Sequence, residues 1–528
     1  MVILPKVKQL QLGLKWFLLF IAVVLSIQYT SPQNSYFQDS HDKLIQTYSL
    51  YYNHFQSDKL YYPGYDFDPN LNYFHLVDNL YIKCKDRIVS AFPIQFAVLM
   101  APLLYILPLS YLVYSSLLFL FLGFWILKQY YKFSFSLLWI CYFGTYLWPL
   151  SWEYSEMPAI FAFSLIGLLP ILRNQKSILI QTLAGLSLSW VILVRLDTLP
   201  FFSFFFFFTF LFLWKDHSYR SVLSKIVSLR VYLIVCLLGI SLQFILNEIL
   251  YDHIFGTRFL ANLSGFKVSF AQRLEWFQSL NFYADKKIGF FAYLPMTLPL
   301  IVYYGKNFKA ISNLKKSLLL SLILTILVIP FIAPNDGFNN WGPRFYTVLI
   351  FPYLLLLKPL YVKISASKNW KFRITLILII TYSFLLGIVG AKIQKSKTSL
   401  VKNFRSITKE LNPDIIVFTD YLNLYSIGSD YTKHISLVSY TSEKNDQLIN
   451  ILSEKMKNKK IIFVDWHPFI LTQETRNAMN AEKAKGGYPI SHWDLNRLES
   501  SLEKNTSNFQ ILDKQMYRIW SGTIKGAN

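Results

Sequence analysis

Charge is scarce in this chain. Only 16% of its 528 residues are Asp, Glu, Lys or Arg, while 54% are hydrophobic and 18% aromatic. An ordinary soluble domain carries about 25% charge, so that class is excluded. Cysteine is nearly absent: Cys84, Cys141 and Cys236 make no disulfide framework, and two of them fall inside apolar runs as small buried hydrophobes. No small-residue cleavage site follows the first apolar run, only SIQYTSPQ, so that run is expected to be retained as a signal anchor. Internal repeats and a dedicated metal-ligand set are missing too.

What the chain does have is a series of apolar runs of about 16 to 22 residues, close to the length that crosses about 30 Å of hydrocarbon. They predict about eleven spans, near 13–29, 110–127, 134–150, 158–172, 177–194, 199–214, 230–250, 288–304, 317–333, 345–361 and 374–391. Residues 92–108 are apolar as well, but Pro93, Pro102 and Pro108 make them read as a re-entrant or interfacial segment. Loop charge agrees with that count, because cytoplasmic loops collect Lys and Arg. With a cytoplasmic N-terminus, the inner segments hold twenty basic residues, from Lys6 to Arg373, against the single acid Asp216. The net charge of +22 is therefore mostly a topology signal. No basic stripe calls for nucleic acid.

The outer side then receives a long first loop, 30–109, four short loops, and everything after 392. This tail alternates strand-like DIIVFTD, HISLVSY, KIIFVDW and MYRIW with two helical stretches, 447–458 and 492–504, and predicts a small α/β domain. The expected fold is mainly α: a polytopic α-helical membrane protein, residues 1–392, with a small C-terminal α/β domain, residues 393–528.

Five clusters of acids, arginines and aromatics face that outer side. Asp39, His41 and Asp42 follow the first span. If their segment is helical, Asp39 and Asp42 share a face, and such a pair can take a proton from a hydroxyl or hold a divalent cation. Glu153 and Glu156 lie in GTYLWPLSWEYSEMP, Arg195 and Asp197 in VRLDTLP, Arg258 in NEILYDHIFGTRF, and Asn340, Trp341 and Arg344 in NDGFNNWGPRF. Singly, each reads as an interfacial anchor. Together they describe a basic-plus-acid pocket at a membrane surface, suited to holding a lipid phosphate and activating a hydroxyl.

Five segments also resemble motifs of the polytopic GT-C glycosyltransferases, which include protein O-mannosyltransferases and aminoarabinose transferases. AFPIQFAVLMAPLLYIL is similar to that family's proline-bounded segment, GTYLWPLSWEYSEMP to "GT-x-LWPYS…SE-P", VRLDTLP to "VRPDAL", KKIGFFAYLP to "GRGLFxYSP" and NNWGPRF to "GWSWGPRY". The resemblance covers roughly residues 12 to 392. It implies a sugar donor linked to polyprenyl phosphate, inversion at the anomeric carbon, and an early Asp as base, matched best by Asp39. Asp39-Ser40-His41-Asp42 replaces the family's adjacent Asp-Glu pair, which leaves Asp42 in contention. Glu156 corresponds to the second-loop acid and Arg344 to an arginine near the donor phosphate, with Arg258 and Arg195 as further phosphate ligands. His41, Glu153, Asp197, Asn340 and Trp341 are expected to contact substrate.

Members of that fold differ in metal dependence, so Mg²⁺ or Mn²⁺ stays open as a cofactor. The acceptor is a lipid, glycan or protein, and the bilayer is a partner throughout. A bacterial inner-membrane location with a periplasmic C-terminal domain follows from the charge pattern and the resemblance. The alternatives are a flippase for lipid-linked glycans and a glycan polymerase or ligase. A flippase places its ionisable groups near the bilayer midplane, whereas these lie at span ends.

Overall fold

The structure is a computed structural model, and it describes residues 3–74, 80–216, 219–263, 268–284, 287–333, 341–467, 474 and 493–526. It is a multi-pass helical membrane body carrying a small five-stranded sheet. Seven described helical segments are long and apolar enough to cross a membrane: Gln9–Asn34, Leu109–Gln129, Leu196–Lys215, Arg230–Tyr251, Asn313–Ile332, Arg344–Ala366 and Trp370–Leu411. Apolar side chains such as Leu237, Leu242 and Ile249 on one of them, and Phe372, Leu378 and Leu385 on another, stand exposed as lipid-facing groups do.

That count falls short of the eleven expected, for local reasons. Run 134–150 divides into helices Phe135–Phe143 and Leu147–Leu150. Between them the Thr145 hydroxyl donates to the Cys141 carbonyl and accepts from the Leu147 amide, competing with the helical ladder. Run 158–172 divides into Met157–Gly167 and Leu169–Leu172 at a non-helical Leu168. Run 288–304 divides into Phe290–Tyr293 and Thr297–Lys306, with Pro295 between them. Run 177–194 stays whole, but as a helix of only 17 residues. The proline-rich segment 92–108 forms a short helix, Ile94–Met100, and a 3-10 turn, Ala101–Tyr105, as its prolines dictate.

The sheet has strand order Ile435–Val438, Ile415–Phe418, Lys460–Trp466, Tyr517–Ile524 and Thr506–Lys514. Its first three strands are parallel and its last two antiparallel. Ile415, Val417, Ile462 and Phe463 are fully buried, the apolar signature of a strand covered on both faces.

Two features tie this sheet to the membrane body. The first is the helix Trp370–Leu411, 42 residues without a break. At 1.5 Å per residue it is about 63 Å long, twice the hydrocarbon thickness. Residue 392 lies in its middle, and its far end buries Val401, Phe404 and Ile407. The second is a shared core: Leu60, Tyr62, Phe67, Tyr73 and Phe74 of the first outer loop belong to the same apolar cluster as the sheet. The layer that carries the sheet is thus built from two distant parts of the chain.

Candidate active site

Where the segment after the first span meets the loops that carry Glu156, Arg195, Arg258 and Arg344, the ionisable side chains fall into three groups. The first centres on Asp39, which opens the helix Asp39–Tyr52. Just before it, Gln38 has φ 49 and ψ −129, a conformation that L side chains rarely adopt. A strained residue costs about 1–3 kcal/mol and persists only where its surroundings over-determine it. The Asp39 Oδ2 accepts a 2.7 Å bond from Nη1 of Arg344. Arg344 is buried, whereas about a third of the Asp39 side chain is exposed. The WGPR sequence explains how Arg344 gets there. Gly342 takes φ +87, which favours glycine, and the chain turns so that the following 3-10 helix, Arg344–Leu349, starts at Asp39. Burial on its own would raise the Asp39 carboxyl, but Arg344, Lys43 and Arg258 outweigh it and hold the group well below the usual carboxylate range.

The second group is a closed network. Glu156 accepts from Lys43 Nζ at 2.6 Å and from Arg195 Nη1 at 3.2 Å. Arg195 in turn grips Asp197 with two bonds, 2.8 and 2.7 Å. Burial pushes Glu156 up, yet Lys43 and Arg195 prevail and bring it to about 2. Two cations and two anions satisfy one another here, so Arg195 and Asp197 are already committed.

Arg258 is the contrast. It sits on the helix Gly256–Leu263, with its guanidinium 4.9 Å from the centroid of Phe92. The Lys43 ammonium lies 5.0 Å from the same ring. Phe92 of the AFP segment therefore underlies two cations, a favourable use of its π face. Arg258 is drawn electrostatically by Asp39 and Glu156 and repelled by Arg344 and Arg195, and burial depresses its guanidinium. Among the described residues no carboxylate comes within ion-pair distance of it. It is the surplus cation of the site.

The third group shares Asp39 with the first. A narrow cleft there is lined by nine residues, among them Asn34, Gln38, Asp39, Glu153, Gln394 and Lys397. Glu153 is raised chiefly by burial, with Lys397 as the main opposing charge.

Asp42 does not join Asp39. The two lie three apart on a helix, as expected, but Asp42 is 1% exposed and accepts from the Tyr425 hydroxyl at 3.3 Å. Burial pushes its carboxyl up. His41 is fully buried, edge-on to Tyr425 and Tyr431 at 5.4 and 5.7 Å. Both residues therefore face the sheet-bearing domain. Trp341 lies on the long helix, where Gly390 makes room for its indole and a methyl group would strike it. Asn340 lies outside the described residues.

Lys43, Asn34, Gln394 and Lys397 were not singled out from sequence. Lys43 had a signal, since it follows Asp42 and lies one helical turn from Asp39. The other three had none, because their place in the site depends on which helix ends meet. Among the described residues, no three His, Cys, Asp or Glu side chains converge as a metal site requires. Asp39, Glu156 and Asp197 are instead bound to arginine or lysine and Asp42 to the Tyr425 hydroxyl, so the described residues do not fit Mg²⁺ or Mn²⁺.

No family model matches this chain. No curated protein matches it. One solved structure that does align is the crystal structure of ArnT from Cupriavidus metallidurans bound to undecaprenyl phosphate. It covers 96% of this chain and 98% of that one, at 10% identity and a TM-score of 0.46.

Proposed function

We propose that the protein is an inverting membrane glycosyltransferase of the GT-C kind, moving a sugar from a polyprenyl-phosphate donor to a hydroxyl of the acceptor at the outer face of a bacterial inner membrane. The observation that carries this reading is the Asp39–Arg344 pair with the uncommitted Arg258 beside it. A partly exposed carboxylate is bonded to one guanidinium and feels the charge of a second, which has no anionic partner among the described residues. The five motif resemblances add support, since Phe92, Glu156, Arg195 and Arg344 of the site all fall within them.

The chemistry follows from these charges. The donor's phosphate binds Arg258 and competes with Asp39 for Arg344 through charge-assisted hydrogen bonds. As the Asp39–Arg344 pair loosens, the Asp39 carboxylate becomes a stronger base, because its charge is no longer neutralised. It accepts the proton of the acceptor hydroxyl while that oxygen attacks the anomeric carbon. The bond from this carbon to the phosphate oxygen breaks, and the electron pair leaves with the lipid phosphate, stabilised by Arg344 and Arg258. Glu156, Lys43, Arg195 and Asp197 act as the rigid floor that keeps Asp39 and Arg258 in place.

The test is transfer of labelled sugar from a panel of polyprenyl-phosphate hexoses in membranes with matched protein levels. Wild type should move label into an envelope fraction, and Asp39→Asn should retain no more than about a few per cent of that rate, as loss of a catalytic base implies. Arg258→Ala should raise the KM for donor about tenfold or more, the worth of a charged hydrogen bond. Asp39→Asn activity close to wild type, or movement of a lipid-linked glycan between leaflets without donor turnover, would overturn the assignment.

A further inference from the structure

The cleft beside Asp39 carries a second conclusion, which rests on the glycosyl-transfer reading. Eight of its nine lining residues are polar and the ninth is Phe37. Its walls come from three distant stretches: the turn 34–39, the loop at Glu153, and Gln394, Lys397 and Thr398 of the long helix. These walls are pinned independently of any ligand. The Thr398 hydroxyl donates to the Thr30 carbonyl at 2.8 Å. Asn34 accepts from Arg405 at 3.0 Å, and Arg405 is itself held by two bonds to Asp430 of the outer domain.

Hydrogen-bonding capacity inside the cleft is left over. Among the described residues Glu153 makes no hydrogen bond, although it is half-buried. Gln394 makes none either, at 6% exposure. The polar atoms of neither are sealed off from the cleft, so both can bond a polar molecule that enters it. Phe37 offers an aromatic ring at the same place, braced at 5.3 Å by Tyr425. Dense mixed donors and acceptors beside one ring suit a molecule covered in hydroxyls, each able both to donate and to accept. An acyl chain finds no apolar floor here.

We infer that this cleft is the acceptor subsite and that the acceptor is a carbohydrate, held by Glu153, Gln394 and Lys397 with its attacking hydroxyl at Asp39. Asp39 is then shared by the two ligands, Arg258 marking the donor phosphate and Lys397 the acceptor. Arg405 is a positioning residue, acting through Asn34.

The experiment uses the full chain in membranes, the donor that the wild type consumes, and two acceptors: polysaccharide from envelopes of cells lacking the protein, and a synthetic Ser/Thr peptide. It reads the partition of donor between transfer to acceptor and hydrolysis by water. Wild type should label the polysaccharide and not the peptide. Lys397→Met and Gln394→Ala should each raise the KM for polysaccharide and lower the partition about tenfold, and Lys397→Arg should recover most of the loss. Donor turnover above that of Asp39→Asn shows that a variant is folded. An unchanged partition in the Lys397→Met/Gln394→Ala double variant, or label in the peptide, overturns the acceptor assignment alone. No donor turnover by wild type overturns the glycosyl-transfer reading, and the acceptor cleft with it.

Discussion

Arg344 and Asp39 set each other's chemistry, and the pH response of the protein should report it. The carboxylate of Asp39 is held below its ordinary range by Arg344, with Lys43 and Arg258 adding to the effect. A depressed carboxyl contributes stability that is complete above the unfolded value of about 3.9 and is lost as pH falls through the lower folded value. Arg344→Gln removes the largest opposing charge, so Asp39 should titrate higher and the acid limb of kcat/KM should move toward neutrality. A profile of the variant superimposable on that of wild type would show that Asp39 is not the group being read. At this scale the sequence was informative where a residue's partner lies in a neighbouring motif. Asp39, Glu156, Arg195, Arg258 and Arg344 were all picked out, and the structure gathers them. It was uninformative about which were already spent. Nothing in VRLDTLP shows that Arg195 is closed off by Asp197 and Glu156 at once, and nothing in DSHDK shows that Asp42 turns toward Tyr425.

Among the elements, the long helix Trp370–Leu411 and the segment 341–349 depend on one close approach. Gly390 leaves the space that the Trp341 indole fills, and Arg344 follows three residues later. Gly390→Leu should overpack this contact, cost about 1–3 kcal/mol, and displace Arg344. Thermal inactivation at a lower temperature, together with a fall in donor turnover, is the expected result, and a variant with wild-type Tm and rate would show that the contact is slack. Helices with uniform apolar runs were legible from their length. The breaks were not, because a single hydroxyl at Thr145 and the non-helical Leu168 decide them and leave mean hydropathy untouched. Strand Thr506–Lys514 escaped notice for the opposite reason: as an edge strand it is largely exposed on both faces and carries little apolar alternation.

For the whole molecule, orientation is the property most open to a direct experiment. The proposed topology puts the sheet outside, so cysteine introduced at exposed Lys457 should react with a membrane-impermeant maleimide in cells whose outer membrane has been permeabilised. Reaction only after lysis of the inner membrane would place the domain in the cytoplasm and invert the arrangement. The tail's composition carried its α/β character, which the five-stranded sheet bears out. Its interlocking with the rest of the chain was hidden, since the shared core of Tyr62, Phe67 and Phe74 with the sheet joins residues some 350 positions apart.

The unbroken course of Trp370–Leu411 limits how this molecule can move. Gln394 and Lys397 stand on the same rigid rod that anchors Arg405 and Phe404 in the outer domain, with no glycine, proline or irregular turn between them. That stretch of helix therefore offers no hinge, and Gln394 and Lys397 are tied to the position of the sheet as two marks on one ruler.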